Sequence, residues 1–207
     1  MMFVDETKKA IDIIMLKDNN PKAMSVGEAL AFYYKASLIP LILTMIVAAI
    51  LGTEVGGTLG TIISLFSHSA ILSGLTGLLS GVLAVLAVVL VVILFWIIIP
   101  IGFLIDAVIY HIFGKLLRQF KQGYNATLSA MIYASMVSVV LFFLFGTPII
   151  GSLIGIIAGI WALVSIIVWL ARFQKISWVM SLVVLIVTWI VLFILIFLIF
   201  GISLGIV

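Results

Sequence analysis

The chain has no cysteine. Disulfides, thiolate metal sites and cysteine nucleophiles are therefore excluded. Charge is also scarce: 8% of residues are charged and 66% are hydrophobic, where a soluble domain has about 25% charged and roughly 45–50% apolar residues. A chain of 207 residues with mean hydropathy +1.54 cannot cover itself with polar surface in water. It reads as an all-α integral membrane protein, and its length fits one domain. The net charge of +3 and pI near 9.3 do not point to nucleic acid. With so few charges, the basic excess reports orientation in a membrane.

A helix crossing a bilayer needs about 20 mostly apolar residues. Five such stretches occur, at 36–52, 81–111, 126–145, 149–171 and 178–200. Strands are excluded because these runs are apolar on every side, whereas a membrane barrel alternates polar with apolar residues. Every Lys and Arg lies in one of three places. Lys8, Lys9, Lys17, Lys22 and Lys35 precede the first span, Lys115, Arg118 and Lys121 separate the second from the third, and Arg172 and Lys175 separate the fourth from the fifth. Five spans with a cytoplasmic N-terminus and an external C-terminus put all three places on the cytoplasmic side, as the positive-inside rule requires.

Residues 1–35 read as cytoplasmic or interfacial amphipathic helices and 36–207 as a transmembrane bundle, the N-terminal segment not being a domain of its own. Phe3, Val4, Ala10, Ile11, Ile14 and Met15 share one helical face, opposite Asp5, Lys8, Lys9 and Asp12. The spacing predicts a helix in the membrane interface, or one packed on the bundle or a partner. With early charges and no early apolar core, no cleavable signal peptide is expected. Ser25 and Glu28 form a capping box that opens a second helix, which runs toward the first span and bends near Pro40. The stretch 53–80 is rich in Gly, Ser and Thr and has no basic residue. It is expected outside the membrane, as short helices on or dipping into the outer leaflet.

Three groups of residues stand out. Gly151, Gly155 and Gly159 repeat every four residues, a helix-packing face of the kind that lets helix backbones approach closely in lipid. Asp106 is an acid inside the second span, with Tyr110 one turn on and His111 turned about 100° away from it. These three form the candidate intramembrane polar site, for a proton or a cation. The alternative is an acid at the interface, reached by Lys115 or Arg118. Lys115, Arg118 and Lys121, with Leu117 and Phe120 between them, are candidate contacts for anionic lipid headgroups. Pro100 removes a hydrogen bond from the second span. Catalytic signals are missing: no HExxH, GxxxxGK[ST] or GxSxG pattern occurs. His68 and His111 lie on opposite faces of the five-span arrangement, so no metal site, catalytic set or cofactor is expected. Membrane lipids, other membrane proteins or further copies of the chain are the expected partners.

From about Gly114 to Leu185 the order of features resembles the Yip1 domain family. A basic, Gly-containing loop precedes the third span, which contains Tyr133, Ala134 and Ser135. A Gly-rich fourth span runs into Trp161, Ala162 and Leu163, and the link to the last span ends in Lys175, Ile176 and Ser177. Pro21, ahead of the helix that enters the first span, is also similar. The chain departs from the pattern at Met136, where the family often has proline, and it lacks the long polar N-terminal region and the Asp-Leu-Tyr-Gly-Pro motif of eukaryotic members. The resemblance therefore implies a prokaryotic-type member in the cell membrane, without the Rab binding or Golgi role of eukaryotic members. It implies no catalytic residue. The function expected is that of a non-enzymatic scaffold or accessory subunit, associating through small-residue helix faces. The alternative is an oligomeric transporter, channel or lipid-moving protein using Asp106.

Overall fold

A computed structural model describes residues 2–18, 21–66, 70–145 and 148–203. Six helices follow in order: α1 (Met2–Ile14), α2 (Val26–Phe66), α3 (Ala70–Leu116), α4 (Tyr124–Phe145), α5 (Pro148–Gln174) and α6 (Trp178–Ser203). There is no strand among the described residues. Five of the helices, α2 to α6, are long and apolar enough to cross a membrane. Helices are the form that satisfies every backbone group within one segment, which a lipid environment requires.

The helix starts follow local chemistry. At α2 the Ser25 N–H donates to Glu28 Oε2 over 2.8 Å, and the Glu28 N–H returns to Ser25 Oγ at 3.4 Å. This is the capping box that the spacing predicts. Pro148 opens α5, where its missing N–H costs nothing. The ends of α1, α3 and α5 share one device. Leu16, Arg118 and Lys175 adopt φ of 55°, 56° and 55°. The next N–H in each case reaches back five residues: Lys17 to Asp12, Gln119 to Gly114 and Ile176 to Ala171, all at 3.0 Å. These are Schellman ends, and they stop a helix sharply.

α4 is the central helix. In its span window 67% is buried, against 12–33% for the other four. Residues 126–134 of α4 are buried without a break, and they form one core with Ala10 and Ile13 of α1, Phe32 and Tyr33 of α2, Tyr110 of α3, Trp169 and Phe173 of α5 and Val184 of α6. The Tyr133 ring lies 5.8 Å from Phe32, 5.1 Å from Trp169 and 5.2 Å from Phe173. α2 and α3 run antiparallel: Trp96 Nε1 donates to Ser37 Oγ at 2.7 Å, and Tyr33 and Phe103 stack edge to face at 5.8 Å. Large apolar side chains point outward, among them Leu90 (61% exposed), Ile157 (67%) and Phe193 (72%). Water would penalise such a surface, whereas hydrocarbon does not.

Two expectations change. The stretch 53–80 is not a set of short surface helices. Its described backbone continues α2 to Phe66 and α3 from Ala70, and its side chains, together with residues 67–69 and so His68, lie outside the described residues. Gly, Ser and Thr do not break a helix in the way they suggest in water, because the alternative is unpaired backbone. The core joins Ala10, Ile13, Ala29 and Phe32 of the first 35 residues to α4. Finally, α1 buries Ala10 and Ile13 against α2 and α4 and leaves Ile11 and Met15 exposed. The packed face is therefore turned from the predicted stripe, because Ile13 completes an i, i+3 pair with Ala10.

Candidate functional site

Asp106 and Tyr110 lie one turn apart on α3 and face the same cavity, of about 340 Å³, between α3, α4, α5 and α6. Ser135 and Ser138 of α4, Gly159 of α5 and Trp189 of α6 complete its polar and small-residue lining, and the rest is aliphatic or aromatic. Tyr110 is buried, and Trp189 of α6 lines the same cavity. No group among the described residues hydrogen-bonds the Asp106 carboxylate. Neither Lys115 nor Arg118 forms an ion pair with Asp106. A second cavity of about 250 Å³ lies between α2, α3 and α4 and shares Phe103 and Ser138 with the first.

His111 belongs elsewhere. Its Nδ1 lies 2.9 Å from Thr127 Oγ1 on α4. Gln174 Nε2, at the end of α5, donates to the same oxygen at 2.9 Å, while Gln174 Oε1 accepts from the Gln122 N–H at 3.0 Å. The candidate trio therefore separates: Asp106 and Tyr110 line the cavity, and His111 joins a structural network that ties α3, α4, α5 and the 117–123 link together.

The glycine stripe behaves differently along its length. Gly151 is buried, Gly155 is half-buried and Gly159 is exposed. A Cβ added at Gly155 or Gly159 meets nothing within 4 Å. Among the described residues, then, no helix of this chain packs on that part of the stripe, and Gly159 opens onto the Asp106 cavity instead.

Lys115, Arg118 and Lys121 are all exposed, at the end of α3 and in the link that follows. This link meets the other basic segments at one end of the bundle. Arg172 Nη1 donates to the carbonyls of Leu16 (3.0 Å) and Asp18 (2.6 Å), with its guanidinium 4.9 Å from the Trp169 ring. The Met24 N–H donates to Ser129 Oγ at 2.8 Å. Thr127, Gln174, Trp189 and Arg172 are the residues that sequence reasoning missed. Gln174 carried a signal, being an uncharged polar residue between an apolar helix and Lys175. Thr127 carried none, since threonine is common in membrane helices.

No protein-family model matches the chain, and no curated protein or solved structure matches it either.

Proposed function

We propose that the protein is a non-enzymatic multi-pass membrane protein of the Yip1-domain kind, residing in a prokaryotic cell membrane with its N-terminus in the cytoplasm, α1 at the cytoplasmic interface and its C-terminus outside. In this reading it acts as a scaffold or accessory subunit. It takes a helix of another membrane protein, or of a second copy, onto the glycine face of α5. The observation that carries the reading is the open space over Gly155 and Gly159. Small residues at four-residue spacing allow close helix approach, and the bundle itself leaves that approach unused. The gathering of the basic links at one end of the bundle supports the orientation.

Gly155→Leu and Gly159→Leu test it, with crosslinking in native membranes and size analysis in mild detergent. Each variant is expected to lose the oligomer or partner complex while the chain stays folded. An unchanged complex contradicts the reading.

The cavity favours a second reading, that of a lipid-moving or transport protein. A mostly apolar space with Asp106 and Tyr110 at one wall suits an amphiphile with a cationic or hydrogen-bonding group. Asp106→Asn separates the two readings. Loss of flux in liposomes with assembly intact supports the second, whereas an unchanged flux removes it.

A further inference from the structure

One stripe of α3 lines both of the cavities described above. Val92, Trp96, Ile99 and Phe103 face the space of about 250 Å³, and Phe103, Asp106 and Tyr110 face the space of about 340 Å³. These residues recur every three or four positions, so they share one face of the helix. From Val92 to Tyr110 the stripe is about 27 Å long. Opposite it, Ser138 of α4 also belongs to both linings, so the two spaces meet at Phe103 and Ser138. The two ends differ in chemistry. At the far end Trp96 Nε1 donates to Ser37 Oγ at 2.7 Å, and the Ser37 hydroxyl donates to the Tyr34 carbonyl at 3.3 Å. Those polar groups are satisfied within the chain, and the lining presents mostly hydrocarbon and aromatic ring. At the near end stands Asp106, the one charged side chain in either lining. Asp106 is exposed, and its carboxylate takes no hydrogen bond or ion pair from the described residues.

We propose that the two cavities form one site for a single-chain primary amine, with its ammonium against Asp106 and Tyr110 and its chain passing Phe103 into the second cavity. The proposal rests on the second reading above and names the class of amphiphile. A primary ammonium carries three donors and no acceptor. The Asp106 carboxylate and the Tyr110 and Ser135 hydroxyls supply acceptor oxygens. The Ser135 hydrogen already goes to the Ile132 carbonyl at 2.8 Å, which leaves its oxygen lone pairs to accept with. A phospholipid headgroup fits poorly, because neither lining has a Lys, Arg or His to meet a phosphate. A metal ion fits no better: calcium or magnesium takes about six or more oxygens, and no cluster of three metal-ligating side chains occurs among the described residues. Pockets for one small molecule run to roughly 300–1,000 Å³, and the two spaces together fall within that range. Asp106 stands nearer than Val92 to the end of α3 at Leu116. The polar end of the ligand therefore lies toward the basic end of the bundle and its chain toward the hydrocarbon interior.

The test uses the full chain in phosphatidylcholine nanodiscs and dodecylamine carrying a diazirine at its chain end, with dodecanol carrying the same group as the uncharged control. Crosslinked peptides are read by mass spectrometry, and competition by unlabelled dodecylamine or hexylamine gives the apparent affinity. Saturable crosslinking by the amine is expected around Leu41, Val92 and Val139, in the far lining. The alcohol is expected to bind at least about tenfold more weakly. Asp106→Asn is expected to weaken the amine about tenfold and to leave the alcohol within about twofold, and Asp106→Glu, which keeps the charge, to recover most of the loss. Leu41→Trp fills the second cavity and is expected to weaken dodecylamine about tenfold while hexylamine stays within about twofold. A melting temperature near the native value shows that each variant is folded. Equal binding of amine and alcohol, full amine affinity in Asp106→Asn, equal losses of the two amines in Leu41→Trp, or no saturable binding would overturn the proposal. Saturable, Asp106-dependent amine binding without flux in liposomes would uphold the site and remove the transport reading. Asp106-dependent flux of another solute, without amine binding, would overturn the site and leave that reading standing.

Discussion

The Gln174 side-chain amide donates to Thr127 Oγ1 across 2.9 Å, and both residues are fully buried. That hydroxyl is also the partner of His111 Nδ1, so one threonine joins α3, α4 and α5. Thr127→Val keeps the shape and removes the oxygen, leaving a buried amide short of a partner. A loss of about 1–3 kcal/mol is expected, read as a lower melting temperature in detergent. Thr127→Ser keeps the oxygen and is expected to lose less than half as much.

Gly114 and Phe120 form a second close relationship. The Phe120 ring lies where a Cβ on Gly114 would stand, and Phe120 is buried. The Gln119 and Phe120 N–H groups both return to the Gly114 carbonyl, at 3.0 and 3.1 Å, so the ring cannot swing away freely. Gly114→Ala is expected to destabilise by about 1–3 kcal/mol. Adding Phe120→Ala should cost less than the two separate losses combined, a coupling that a double-mutant cycle measures.

Arg172 anchors the N-terminal segment. Its guanidinium donates to two carbonyls and lies over Trp169, a combination that suits a planar group and not an ammonium. Arg172→Ala is expected to free the 15–25 link, and limited trypsin digestion should then cut after Lys17 or Lys22 several-fold faster. Arg172→Lys is expected to fall nearer to alanine than to the native chain.

The parts of the fold that depend on composition and short spacing were legible in the sequence. The third, fourth and fifth spans begin within about two residues of α4, α5 and α6, because the transition from polar link to apolar run is abrupt there. The Ser25–Glu28 capping box and the shared face of Asp106 and Tyr110 follow from helical geometry alone. The continuation of α2 and α3 through 53–80 was not legible, because Gly, Ser and Thr carry turn signals in water that a bilayer overrides. The place of α1 was hidden as well. The helix folds back onto α2 and α4, and that is settled by tertiary packing of Ala10 and Ile13. Nor does spacing show that the stripe is left open at Gly155 and Gly159: it marks a face without saying which neighbour meets it.

The orientation of the bundle underlies all of this, and the lack of cysteine makes it directly measurable. Single cysteines are placed by Lys8→Cys, Lys121→Cys, Lys175→Cys and Ser203→Cys, and intact cells are treated with a membrane-impermeant maleimide. The account expects labelling at position 203 alone, with positions 8, 121 and 175 labelled only after the membrane is opened. Labelling of positions 121 and 203 from the same side of an intact membrane would contradict it.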